Sequence, residues 1–127
     1  MKIKGLVLFG FAAAFCLSMV AKAEMWDVLE ITLSEKCTVE KYLKIVDDFN
    51  QYYKDKGYQA EILLPLHTEN QAAIFWIGRT KNSEDFGKAY DHWLAGQVQD
   101  GSAVDKLSDR FADCGTTTSR SSFITAR

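Results

Sequence analysis

The stretch AAIFWIGRTKNSEDFGKAYDHW, residues 72–93, predicts a β-strand followed directly by an α-helix. Its first nine residues are rich in aromatic and β-branched side chains, which favour strands. Asn82 or Ser83 then caps a helix whose first turn carries two acidic residues, where negative charge interacts favourably with the helix dipole. A strand followed after so short a turn by a capped helix indicates a compact domain that contains both strands and helices.

The segments on either side extend this unit to the order β-α-β-β-α-(α)-β. They are residues 26–33 (WDVLEITL), 38–56, 58–64 (YQAEILL), 102–112 and 116–125, read as strand, helix, strand, helix and strand. This order is that of the ferredoxin-like split β-α-β arrangement. We therefore predict an α+β domain whose helices cover one face of an antiparallel sheet.

Both faces of the third strand are apolar. Ile74 and Trp76 point to one face, and Phe75 and Ile77 point to the other. Because helices on one side of a sheet need only one apolar face, something else should cover the second. The economical expectation is a homodimer that packs sheet against sheet.

Residues 75–93 and the order of elements resemble the dimeric α+β barrel superfamily, which includes antibiotic-biosynthesis-type monooxygenases. The resemblance implies one of two chemistries. Some members are cofactor-free oxygenases with aromatic pockets, and others hold or degrade haem with an Asn on strand one, a Trp on strand three and a His on the second helix. Trp76 matches the strand-three position, but strand one has no Asn and His92 lies beyond the matching helical position. The residues that the resemblance leaves for holding haem are His92 and Tyr90, and a haem-binding protein is an alternative expectation.

The N-terminus has the composition of a secretory signal peptide, residues 1–23. Lys2 and Lys4 precede an apolar stretch, residues 5–20, which is shorter than the ~20 residues of a spanning helix. Ala21 and Ala23 then form a cleavage site. We expect a single domain, residues 24–127, that is periplasmic or secreted and has no membrane anchor after cleavage.

The predicted mature chain is acidic. Removing residues 1–23 leaves 12 basic against 17 acidic residues, a net charge of −5, and no basic cluster. These features argue against nucleic acid as a partner.

Two cysteines, Cys37 and Cys114, remain in the predicted mature chain. In the predicted topology the first and last strands are antiparallel neighbours, so both cysteines fall at the same end of the sheet. An oxidising compartment would keep them paired, and we predict a disulfide. The two histidines have no metal-ligand spacing, so no metal site is expected.

Many aromatic residues for a chain of this size suggest a pocket between sheet and helices that takes a flat apolar ligand. The candidates for such a pocket are Trp76, Arg79, Tyr90, His92 and Trp93. The same aromatics could instead be ordinary core. His92 falls about 160° around its helix from Tyr90, which would place it on the solvent-facing side. Arg79 could pair with a glutamate instead of a ligand. We expect a protein that binds or oxidises a small hydrophobic or aromatic molecule; the alternatives are a non-enzymatic interaction or structural protein and a haem-binding protein.

Overall fold

The computed structural model describes residues 23–126, so the predicted signal peptide lies outside the described residues except for Ala23. The elements are β1 (Met25–Leu33), α1 (Val39–Tyr53), β2 (Gln59–Leu63), β3 (Ile74–Thr80), α2 (Ser83–Gln97), α3 (Ala103–Cys114) and β4 (Gly115–Ile124). This order confirms the predicted α+β, ferredoxin-like arrangement. The boundary of the domain, residues 24–127, stays a prediction.

The four strands form one antiparallel sheet in the order β2-β3-β1-β4. β1 is central, and it pairs with β3 on one side and β4 on the other. The register against β4 shifts between Glu30 and Ile31. Since residues paired across antiparallel strands lie on the same face, this register decides which side chains point towards the helices.

The helices cover one face of the sheet, here called the inner face. The inner-face residues of β1 are Asp27, Leu29, Ile31 and Leu33, and Trp76 is paired with Leu29. α1 packs against this face through its buried residues, which are Tyr42, Ile45, Val46, Phe49 and Tyr53. Their steps of one, three and four residues place them on one side of the helix.

Each helix begins at a polar cap. The side chains of Thr38, Asn82 and Ser102 accept hydrogen bonds from the backbone N–H three residues further on. These bonds satisfy donors that the first turn of a helix leaves unpaired. The predicted helix start at Thr38 is therefore confirmed, and of the two predicted caps for the next helix, Asn82 and Ser83, Asn82 is the cap.

A disulfide joins Cys37 to Cys114, with 5.0 Å between the two Cα atoms. The backbone N–H of Ser34 also donates to the carbonyl of Cys114 at 2.9 Å. The end of β1 and the end of α3 are thus tied together at one edge of the domain, and the predicted disulfide is present.

The opposite face of the sheet, here called the outer face, is mixed rather than uniformly apolar. Trp26, Val28, Phe75 and Ile77 give it an apolar centre on β1 and β3, as expected. At its margins β4 presents serines, and an ion pair lies on β2 and β3. Within residues 23–126, no helix is both long and apolar enough to span a membrane.

Candidate functional site

A cavity of about 440 Å³ lies between the inner face of the sheet and the three helices. Its walls are largely aromatic and include Tyr42, Phe49, Trp76, Tyr90, Trp93 and Phe111. The mouth is formed by more exposed residues of α2, α3 and β4, among them the half-exposed Leu94. A concave, mostly apolar space of this volume is typical of small-molecule sites.

The aromatic wall is built around Phe49 of α1. Its ring centroid lies 4.9 Å from that of Trp76 and 5.7 Å from that of Trp93, both in edge-to-face orientation. Phe111 completes the group, with its ring centroid 5.6 Å from that of Trp76. Such contacts fix ring orientations, so the walls present a defined shape to a ligand.

One polar chain forms part of the cavity lining; we call it the Asp27 network. The indole Nε1 of Trp76 donates to the Tyr58 hydroxyl at 2.9 Å, and that hydroxyl donates to Asp27 Oδ2 at 3.1 Å. Arg120 donates to the same carboxylate twice, from Nε to Oδ1 at 2.9 Å and from Nη2 to Oδ2 at 2.8 Å. The four residues Trp76, Tyr58, Asp27 and Arg120 all line the cavity.

Asp27 is buried, with only 2% of its surface exposed. A buried carboxylate is costly unless it is paired and hydrogen-bonded. The bidentate contact with Arg120 supplies the opposite charge, and Tyr58 supplies the third donor. The fixed geometry of a guanidinium matches a carboxylate in this way, whereas a lysine would not.

Arg120 is held on a second side by an aromatic ring. Its guanidinium lies 4.7 Å from the centroid of the Tyr90 ring, and Tyr90 in turn stacks on Phe86 with their centroids 5.9 Å apart. A cation over an aromatic face is attracted by the ring quadrupole. Arg120 is therefore oriented by both a carboxylate and a ring, although its side chain stays 37% exposed.

The network also sets the protonation of its members. Burial, and then the negative charge of Asp27, raise the pKa of Tyr58 far above its usual value. The hydrogen bond to Asp27 raises the pKa of Arg120. At neutral pH the site thus contains a neutral phenol and a guanidinium cation, and the phenol is not a base.

Gly78 of β3 makes room for Tyr58. A Cβ atom at this position would overlap the Tyr58 hydroxyl and the carbon that carries it. Close approach of a ring to a strand backbone is a known reason for glycine within a sheet. The hydroxyl can reach both Trp76 and Asp27 because residue 78 has no side chain.

Three of the five pocket candidates from the sequence line the cavity: Trp76, Tyr90 and Trp93. Arg79 lies on the outer face instead, where it pairs with Glu61 at 2.8 Å and covers the Trp26 ring at 4.5 Å. The reason is strand alternation, since Arg79 is an odd number of residues from Trp76.

His92 also lies outside the cavity. It is exposed on the far side of α2 from Tyr90, and its Nε2 is 2.7 Å from the Tyr52 hydroxyl. The rotation of about 160° between Tyr90 and His92 along the helix predicts that the two side chains lie on opposite sides.

Asp27, Tyr58 and Arg120 are the site residues that sequence reasoning did not single out as a group. Asp27 carried a signal, because it alternates with Leu29 and Ile31 and so lies on an otherwise apolar face. The register of β4 against β1 places Arg120 opposite Leu29, on the inner face beside Asp27, whereas Glu30 and Glu61 are on the outer face.

Haem and metal ions find no matching ligand set in the described residues. No histidine lines the cavity, and the Tyr90 ring already stacks on Phe86 beneath the Arg120 guanidinium. Within residues 23–126, no cluster of three or more His, Cys, Asp or Glu could hold a metal ion. We therefore derive no role for haem.

No protein-family profile matches the chain, and no curated protein is similar to it in sequence. Solved structures do resemble it. SnoaB from Streptomyces nogalater, a cofactor-independent oxygenase, matches 83% of this chain and 94% of its own, with 14% identity and a TM-score of 0.55.

A hydroxynitrile lyase from Passiflora edulis matches 83% of this chain and 95% of its own, with 9% identity and a TM-score of 0.53. A dimeric protein of unknown function with a ferredoxin-like fold, from Bacteroides fragilis NCTC 9343, covers 80% of this chain and 94% of its own at 13% identity and a TM-score of 0.42. At such identities the likeness concerns fold and not activity. The chain therefore has an α+β fold that is also used by a cofactor-independent oxygenase and a hydroxynitrile lyase, in agreement with the fold that its resemblance to monooxygenase-type domains implied.

Proposed function

We propose that this protein binds a small, flat hydrophobic or aromatic molecule in the cavity between the sheet and the helices. The observation that carries the proposal is the cavity itself, about 440 Å³ in volume, with aromatic walls and one polar network in its lining. Known ligand sites have this combination of apolar lining and few, well-placed polar groups.

Two neighbours in fold act on small molecules by name, one as an oxygenase and one as a lyase. They support a small-molecule role for this chain, and oxidation of the bound molecule is a second step that the same cavity could serve. The proposal rests on binding, because fold alone does not transmit a reaction.

Filling the mouth of the cavity tests this proposal. Leu94 lines the cavity and is 45% exposed, so Leu94→Trp should block entry at little cost to the fold. The matched control is Leu43→Trp, because Leu43 is a helical leucine that is 40% exposed and does not line the cavity. We expect 2-isopropylnaphthalene and its ketone analogue 2-acetylnaphthalene to raise the melting temperature of the wild type and of Leu43→Trp, but not of Leu94→Trp.

An equal shift in both variants would mean that the probes bind elsewhere and would refute the proposal. Absence of any shift in the wild type would favour the alternative of a non-enzymatic interaction or structural protein. A stable partner recovered from the cell envelope would then support that alternative.

We propose in addition that the outer face packs against a second copy of the chain. The support is its apolar centre, formed by Trp26, Val28, Phe75 and Ile77, together with Phe123 at its margin, which is 55% exposed. Sedimentation should give a dimer at micromolar concentration for the wild type and for Val98→Asp, a control far from this face, and a monomer for Phe123→Asp. A monomeric wild type would contradict the proposal.

We also propose that the protein is exported and works in an oxidising compartment. The Cys37–Cys114 disulfide supports this, because structural disulfides persist mainly outside the cytosol. The predicted cleavage point after Ala23 lies just before β1 begins at Met25, so cleavage would leave the whole strand intact. N-terminal sequencing of protein from the envelope should find Glu24 first, and a cytosolic chain that retains Met1 would contradict export.

A further inference from the structure

The charged residues that line the cavity are Asp27 and Arg120. Asp27 is only 2% exposed, and its two oxygens already accept three of the roughly four hydrogen bonds that a carboxylate can accept, so it offers little to a ligand that donates. The Tyr58 hydroxyl is also occupied, since it donates to Asp27 and accepts from Trp76. Of the two charged side chains, Arg120 is the accessible one, at 37% exposed against 2% for Asp27, so the main polar contact that the network offers to a ligand comes from Arg120.

Arg120 retains free donors. A guanidinium has five N–H groups, and two of its nitrogens, Nε and Nη2, are engaged with Asp27. Nη1 has no hydrogen-bond partner among residues 23–126, and the side chain lines the cavity and is 37% exposed. Asp27 and Tyr90 already orient the guanidinium. Its free N–H groups can therefore donate to a ligand acceptor without further ordering of the Arg120 side chain.

The charge of Arg120 is already compensated by Asp27. A ligand carboxylate that approached Nη1 would lose its hydration in an apolar cavity, and it would also meet the negative charge of Asp27 just behind the guanidinium. A carbonyl oxygen accepts the same hydrogen bonds with a far smaller desolvation penalty. The neutral pair should therefore favour a neutral acceptor over an anion.

We propose, building on the proposed function, that the ligand of this cavity is a neutral aromatic ketone, aldehyde or amide whose carbonyl oxygen accepts hydrogen bonds from Arg120. Asp27 is the residue that sets this specificity, since its charge excludes the corresponding carboxylates. Arg120 binds the ligand, and Asp27 acts through Arg120.

Three probes of nearly the same shape test this assignment. They are 2-acetylnaphthalene, naphthalene-2-carboxylate and 2-isopropylnaphthalene, which place a ketone, an anion and an apolar group on the same ring system. Titration calorimetry on the wild type at pH 7 should show the ketone binding about tenfold more tightly than the apolar analogue, with the carboxylate weakest.

The variant Asp27→Asn should reverse the order of the two oxygenated probes. It retains the shape of the side chain but leaves the charge of Arg120 uncompensated, so the carboxylate should gain at least about tenfold and become the tightest ligand. Asp91→Asn, which makes the same change at an exposed position of α2 outside the cavity, should leave the order as in the wild type.

The wild-type ranking decides the inference even if Asp27→Asn fails to fold. The inference would be overturned, with the cavity proposal intact, if the wild type bound the carboxylate as tightly as the ketone or more tightly. Equal binding of all three probes would have the same consequence. An unchanged order in a folded Asp27→Asn would overturn the role of Asp27. If none of the probes binds, the proposed function fails together with the inference.

Discussion

Gly78 shows how one residue controls the geometry of the site. It lies on β3 opposite Asp27, and the Tyr58 hydroxyl occupies the volume that a side chain at residue 78 would need. Gly78 therefore provides space for the Tyr58 hydroxyl, whereas the residues before and after it in the strand, Ile77 and Arg79, carry large side chains. The hydrogen bonds from Trp76 through Tyr58 to Asp27 depend on this space.

Gly78→Ala is expected to lower the free energy of unfolding by about 2–3 kcal/mol, because the new methyl group displaces a buried hydroxyl and breaks its hydrogen bonds. Urea unfolding followed by circular dichroism measures the change. The control is Gly87→Ala, where a Cβ meets nothing within 4 Å and lies in the middle of α2. It should stabilise the protein by about 0.5–1 kcal/mol. Equal effects of the two substitutions would contradict this account of Gly78.

Single residues were predictable where local patterns place them. Alternation along the first strand puts Asp27 on the inner face, and helical rotation puts His92 on the exposed face. The partner of Arg120 could not be predicted, because it depends on how β4 aligns with β1 and on the register shift between Glu30 and Ile31.

At the scale of the elements, β1 connects the parts of the site. It is the central strand, it supplies Asp27 to the cavity, and its C-terminal end leads to the disulfide between Cys37 and Cys114. Backbone hydrogen bonds hold the last strand, β4, against β1. The disulfide holds it as well, because Cys114 is the residue immediately before β4 begins. The strand that carries Arg120 is therefore anchored at the end nearest Cys114.

Reduction of the disulfide, or the double substitution Cys37→Ser and Cys114→Ser, should cost roughly 4 kcal/mol of unfolding free energy. The bond closes a loop of 77 residues, and in the chain-entropy model a loop of this length restricts the unfolded chain by about that amount. Urea unfolding with and without dithiothreitol measures the cost. The double variant should be insensitive to dithiothreitol, and an equally stable wild type in both conditions would disprove the prediction.

The whole molecule is a small domain in which Tyr42 and Tyr53 are buried and Tyr58 is half-buried around the cavity. Burial raises the pKa of Tyr42, Tyr53 and Tyr58 above the ordinary tyrosine value. Tyr53 also donates to the Ala89 carbonyl at 3.4 Å, so its phenol proton is used within the fold. Ionising these phenols therefore opposes the native packing.

The protein should lose stability in alkali. In the unfolded chain the three phenols ionise at about pH 10, whereas in the folded chain their pKa values are higher, so the stabilisation is complete below pH 10 and declines as the pH rises through the folded values. Each phenol steepens the decline by up to about 1.4 kcal/mol per pH unit. Urea midpoints measured on both sides of pH 10 test this, with tyrosinate absorbance as the independent record of ionisation.

Tyr53→Phe removes one of these phenols with the loss of a single long hydrogen bond, so its urea midpoint should fall less steeply above pH 10 than that of the wild type. Tyrosinate absorbance that rises fully at about pH 10 without any change in urea midpoint would contradict the prediction.

The sequence by itself determined the order of elements, the start of the first helix at Thr38 and of the second at Asn82 or Ser83, and the pair of cysteines that meet. These features follow from local periodicity, from capping side chains and from the topology that the element order implies. Only the tertiary structure decided that Asp27 pairs with Arg120 and that a space remains among the aromatic rings. The Asp27–Arg120 contact joins residues 93 positions apart, and a cavity is the volume that packed side chains leave unfilled, which no local pattern records.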